Sequence, residues 1–317
     1  MYWRKDIDPE GGHHKVMIAR GKFIDATRDN RDVPFKIYYP VNHDLTDLPV
    51  ILWSHGLGGS ADGAAFLTRY IASYGYVVVN IQHRGTDSTL WEGKPGHPWD
   101  VIRETKIPRS ASLNRFKDVP FVMDELPKWA AENPEISQHM DLSNVGISGH
   151  SFGALTTQVA AGQMFPDENE KLVRMPEDRF KAGILYSPVP ISYLTDADSK
   201  TLYGPIDIPL LHMTGTDDSS PVEHFDYTHR MKIYEHAHKT EQAMLVLQDG
   251  DHMVYNGSRG KLAENPKRNV HEDIIKIATL AYWDAHLKGD KNAQEWLMDG
   301  EFSKWLGDDG TFKHKRP

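Results

Sequence analysis

Ser151 lies in Gly149-His150-Ser151-Phe152-Gly153, a serine with glycine two positions away on either side. That spacing is the Gly-x-Ser-x-Gly pattern of a strand that turns sharply into a helix and exposes a nucleophilic hydroxyl at the tip. Side chains at the flanking positions would collide with the turn, which is why both are glycine. The apolar run Val145-Gly-Ile-Ser148 supplies a strand before it, and the Ala- and Thr-rich segment from Phe152 to Met164 supplies a helix after it. Without such context the pentapeptide reads as a glycine-rich turn with a bystander serine; with it, Ser151 is the candidate nucleophile.

A serine nucleophile needs a base, and the base needs an acid to hold its tautomer. The chain has 17 histidines, so position must choose among them. His252 follows the last clear strand, Ala243–Gln248, and precedes the closing helix, which makes it the candidate base; His271 and His286 are expected on that helix's surface. The acid is expected after the strand Ile208–Met213, in Thr214-Gly215-Thr216-Asp217-Asp218. Asp218, three residues past the glycine, is favoured over Asp217, with Asp196 and Asp198 in reserve beyond the preceding strand. His55-Gly56-Leu57-Gly58-Gly59 follows another buried strand, where glycines let backbone amides approach a substrate. The Leu57 amide and that of Phe152, the residue after the nucleophile, are the candidate oxyanion donors. The bland alternative for the glycine run is a tight turn before a helix.

These groups need a scaffold. Short apolar runs alternate with amphipathic stretches, the pattern of a mostly parallel sheet covered by helices. Strands are expected near Val16–Ala19, Phe35–Tyr39, Pro49–Ser54, Tyr76–Ile81, Val145–Ser148, Lys181–Tyr186, Ile208–Met213 and Ala243–Gln248. Helices are expected near 64–73, 118–133, 152–164 and 271–287. Pro120 and Pro127 should tighten or kink the second of these. On the last, Ile274, Ile275, Ile277, Ala278, Ala281 and Tyr282 form the core face. Residues 82–115 read as a long loop walling the site, and 165–180 as a surface excursion. In the loop, Trp91 and Trp99 either contact substrate or simply pin it; Arg103, Arg109 and Arg115 could meet an anionic substrate group, but a solvated surface is the expectation. The reading is an α/β class chain: the α/β-hydrolase fold, a mostly parallel sheet of about eight strands flanked by helices, in one catalytic domain spanning 1–317.

Composition narrows the chemistry. With no cysteine, disulfides, thiolate metal sites and a cysteine nucleophile are excluded. A net charge of −9 argues against a nucleic-acid partner, because phosphate binding needs a basic surface. No run of roughly 20 apolar residues stands out as a membrane span. The histidine pairs His13–His14 and His236/His238 lack partner ligands at recognisable spacing, so no metal or organic cofactor is expected. The N-terminus lacks the apolar run of a signal peptide, so a cytoplasmic location is expected, the alternative being export with a leader outside this sequence.

From about Pro49 to Leu155 the chain resembles bacterial members of the platelet-activating factor acetylhydrolase and dienelactone-hydrolase-like group. Trp-Ser-His-Gly-Leu-Gly at 53–58, Ala-Ser-Tyr-Gly-Tyr-Val-Val at 72–78 and Gly-His-Ser-Phe-Gly at 149–153 carry the resemblance. It implies an oxyanion hole at the amides of Leu57 and Phe152. Two departures stand out. Dienelactone hydrolases proper use cysteine, whereas this chain has Ser151. The acetylhydrolase acid would fall near Tyr186-Ser187-Pro188, which holds no carboxylate, so the acid is expected at the next strand end, at Asp218. The expected activity is hydrolysis of a small-molecule or polymeric carboxylic ester through an acyl-enzyme. A peptidase or amidase with the same residues and a non-catalytic binding protein of this fold are the rival readings.

Overall fold

The computed structural model describes residues 1–42, 44–257 and 264–317. Eleven strands are present among them: β1 Val16–Asp25, β2 Arg31–Pro40, β3 Leu48–Ser54, β4 Val77–Ile81, β5 Met140–His150, β6 Met164–Pro166, β7 Leu172–Arg174, β8 Phe180–Tyr186, β9 Leu210–Asp217, β10 Gln242–Asp251 and β11 Gly310–Lys315. Nine form one sheet in the order β1-β2-β4-β3-β5-β8-β9-β10-β11. The six strands from β4 to β10 run parallel, and β1–β2 and β11 add antiparallel at the two edges. This is the α/β-hydrolase arrangement, with every expected strand present. The ninth strand, β11, was not expected, because Gly-Thr-Phe-Lys-His-Lys is polar and sits at an edge exposed to solvent.

The near-continuous apolar runs follow from burial on both faces. Side chains alternate along a strand, so Ile51 and Trp53 of β3 join one core while Val50 and Leu52 join the other. On the first face pack α1 Ala65–Ser73 and α8 Arg268–His286, whose Ile274, Ile275, Ile277, Ala278, Ala281 and Tyr282 are all buried as expected. Opposite lie α3 Arg109–Glu132 and α5 Phe152–Ala160. Full burial of one such aliphatic or aromatic side chain is worth about 1.5–3 kcal/mol.

The segment 82–115 departs from the expected loop. It contains a short 3-10 turn at Ser88–Leu90 and the helix α2 Pro98–Glu104, and α3 already begins at Arg109. α3 also runs through Pro120 and Pro127 without interruption. The early turns of α3 look polar in sequence because their inward face carries Arg115, which is fully buried rather than solvent-facing. Arg103 is exposed, and Arg109 reaches the Pro166 carbonyl. The expected surface excursion instead folds back as the β6–β7 hairpin and buries Phe165. His271 is likewise buried, its Nε2 against the Gln248 carbonyl at 2.9 Å, and His286 is half-buried against Glu241. Among the described residues, no helix is long and apolar enough to cross a membrane.

Candidate active site

The turn that carries Ser151, the candidate nucleophile, lies where β5 meets α5. Ser151 adopts φ 56° and ψ −117°, a strained backbone for a residue with a side chain. A Cβ on Gly149 or Gly153 would drive into backbone atoms: Gly149 faces the Gly153 carbonyl, and Gly153 faces that of Ser54. Glycine at both positions lets the turn seat itself against the end of β3, with the Ser151 amide donating to the Tyr186 carbonyl at 2.9 Å.

His252 stands just beyond β10, whose pairing with β9 shifts register between Leu247 and Asp251. Such a bulge re-aims the chain that follows. His252 Nε2 lies 3.1 Å from Ser151 Oγ, and its Nδ1 lies 2.7 Å from Asp218 Oδ1. Asp218 is fully buried and its second oxygen accepts from Thr214 Oγ1 at 2.9 Å, whereas Asp217 is exposed. Of the reserve acids, Asp198 caps the short helix α6 Ser199–Tyr203, and Asp196 is exposed.

The turn at 56–59 is tied down on both sides. Gly58, with φ 71°, donates its amide to the Thr86 carbonyl at 2.9 Å, and Gly59 donates to Gly56 at 3.0 Å. Among the described residues the Leu57 amide has no protein acceptor. Phe152 is the first residue of α5, so its amide has no acceptor within the helix.

Two cavities meet at Ser151. One, of about 170 Å³, is lined by Trp91, Trp99, Ile102 and His252; the other, of about 300 Å³, by Phe152, Leu155, Val189 and Phe225. Leu57 and Val222 border both. Trp91 lines the smaller cavity, and its Nε1–H donates to the Gly58 carbonyl at 2.7 Å, which fastens the loop to the glycine turn. Trp99 lines the same cavity from α2, which Arg103 fastens to the Pro221 carbonyl. Among the described residues no group of three or more His, Asp or Glu could hold a metal ion.

The family model for platelet-activating factor acetylhydrolase, isoform II, matches residues 15–92. A platelet-activating factor acetylhydrolase of Cavia porcellus is 22% identical over 89% of this chain and 67% of its own length. One of Canis lupus familiaris is 22% identical over 80% of this chain and 61% of its own. The chain thus spans only about two thirds of these relatives. The chain has the α/β-hydrolase fold and is similar to the platelet-activating factor acetylhydrolases.

Three buried residues at this site have partners that the sequence reading does not assign. Arg230, on helix α7 Tyr227–His236, is 1% exposed and ion-pairs with Asp218 Oδ1 at 3.1 Å. Its other donors reach the carbonyls of Asp218, Ser187 and Pro188. The resemblance would put an acid beside Ser187; here an arginine guanidinium occupies that neighbourhood. Burial raises the Asp218 carboxyl, but the charges of Arg230 and His252 and the hydrogen bond from His252 more than offset this and hold it below the ordinary carboxylate value. His150 donates from Nε2 to the His252 carbonyl at 2.7 Å, joining the Ser151 turn to the segment that carries His252. Arg115 reaches Ser54 Oγ, the His55 carbonyl, Thr86 and Thr156, and its guanidinium stacks 4.6 Å over the Phe152 ring. His150 stands in the sequence as a variable position inside the serine motif and Arg115 as a loop arginine expected in solvent, whereas Arg230 carries no signal.

Proposed function

We propose that the chain is a serine carboxylic-ester hydrolase working through an acyl-enzyme. The observation that carries this reading is the hydrogen-bonded series Ser151–His252–Asp218 at the junction of two cavities. His252 Nε2 takes the proton as Ser151 Oγ attacks the ester carbonyl. The amides of Leu57 and Phe152 stabilise the oxyanion. The imidazolium, held by Asp218, returns the proton to the departing alkoxide, and water then cleaves the acyl-enzyme with the roles repeated. The names of the similar proteins, both acetylhydrolases, support ester over amide as the scissile group. A fluorophosphonate probe should label the wild-type protein at Ser151 and leave Ser151→Ala unlabelled. The same variant should lose roughly 10⁴-fold or more in kcat on p-nitrophenyl acetate while keeping its melting temperature within a few degrees. Turnover retained in folded, contaminant-free Ser151→Ala would overturn the reading.

A further inference from the structure

We propose that the larger cavity beside Ser151 is an acyl-chain pocket, and that the preferred substrates carry a linear apolar acyl group of roughly four to eight carbons. This rests on the ester-hydrolase reading above and deepens it.

The tetrahedral intermediate has four substituents to distribute. One is Ser151 Oγ, and the oxyanion must face the amides of Leu57 and Phe152. The leaving oxygen receives its proton from His252 Nε2 and so must lie on that histidine's side. His252 borders the smaller cavity and not the larger one, and His150, Met253 and Asn256 line it too. The alcohol therefore leaves through the smaller cavity, under Trp91 and Trp99. The acyl substituent is left with the opposite direction, into the cavity of about 300 Å³.

The walls there suit hydrocarbon. Leu155, Phe165 and Val189 are buried, and Phe152, Leu194 and Phe225 continue the apolar lining; polar groups also border it, among them Arg103, Thr105, Ser112, Ser220, Glu223 and Arg230, the last with its donors spent on Asp218, Ser187 and Pro188. An acetyl group would leave most of this volume without apolar contact. Each added methylene that enters it should raise kcat/KM about fourfold, the value of one buried methylene.

The test is kcat/KM for p-nitrophenyl acetate, butanoate, hexanoate and octanoate, set beside acetate esters of alcohols of increasing length. Values should climb from acetate to hexanoate. Val189→Phe, which fills the cavity, should lower the hexanoate-to-acetate ratio by about tenfold or more. Leu194→Trp, a substitution at a half-buried position, should act in the same direction and covers the case in which Val189→Phe does not fold. Trp99→Leu should instead change the dependence on alcohol length and leave the acyl ratio in place. If acetate is hydrolysed but the acyl ratio is flat, or responds to Trp99→Leu and not to the other two variants, the pocket assignment is overturned and the ester-hydrolase reading stands. If no ester is turned over and the fluorophosphonate leaves Ser151 unlabelled, both fall.

Discussion

At the scale of the residue, Asp217 and Asp218 are adjacent carboxylates with opposite environments. Asp217 ends β9 and points to water; Asp218 is buried between Thr214, Arg230 and His252. An acid in that place holds the Nδ1–H tautomer and stabilises the imidazolium. Asp218→Asn is therefore expected to lower kcat by about 10⁴-fold, with the fold preserved, if the tautomer effect known for serine proteases carries over. Asp217→Asn should change kcat by no more than a few-fold. Steady-state kinetics of the two purified variants decides between them: equal losses, or a larger loss at Asp217, would move the acid elsewhere. Sequence order points to this turn and spacing from Gly215 favours Asp218; the structure adds that Asp218 is the neighbour that His252, beyond the bulged end of β10, meets.

At the scale of the element, the turn joining β5 to α5 works because three backbones meet there. Gly153 lies against the Ser54 carbonyl at the end of β3, the same strand end that Arg115 grips from α3. Gly153→Ala should push α5 away from β3 and displace the Phe152 amide. The expected result is a loss of about 3 kcal/mol in urea unfolding, the upper end of the usual range for an overpacked site, together with slower fluorophosphonate labelling of whatever protein folds. Unchanged stability and labelling would mean that the glycine is dispensable. The strands and α8 were legible because hydrophobic period reports burial directly. α2, the start of α3 and β11 were not. The inward face of α3 begins with Ser112, Leu113, Arg115 and Phe116, where the buried serine and arginine interrupt the apolar period, and β11 pairs along an edge where polar side chains are tolerated.

At the scale of the molecule, several histidines are buried in their neutral form. His55 donates from Nδ1 to the Gly56 carbonyl and accepts the His83 amide at Nε2. His83 donates to Asp118 and accepts from Ser54 Oγ. Burial, with help from neighbouring cations or rings, pushes His83 down to about 4 and His150 to about 3, and holds His55 well below its ordinary value. Burial alone is the main reason that His212 falls to about 4. Above about pH 6.5 these rings are neutral in both the folded and unfolded chains, so the stability is present in full. Below it the unfolded chain binds protons that the folded chain refuses until about pH 4. Stability should therefore fall as pH drops from 6.5 towards 4, by up to about 1.4 kcal/mol per pH unit for each such histidine. The depressed carboxyls of Asp118 and Asp218 extend the loss below their ordinary value. Urea unfolding at pH 7.5, 6, 5 and 4.5 checks this, and a free energy constant across that series would contradict it.

The serine motif, the glycine turn and the order nucleophile, acid, histidine are local patterns, and each can be read along the chain. They named the fold and brought Ser151, His252 and the 214–218 turn forward as one site. What the chain alone left open was everything that depends on contact between distant segments. Arg230 meets Asp218 from a separate helix, and Arg115 crosses from α3 to the end of β3. Their charges look like surface residues until tertiary packing supplies buried carbonyls and carboxylates for them. The two cavities have the same origin, because each is the space left between elements far apart in sequence. Periodicity can say which face of an element is buried; it carries no information on which polar atoms will meet inside, and that was settled only when the sheet and its helices closed around the site.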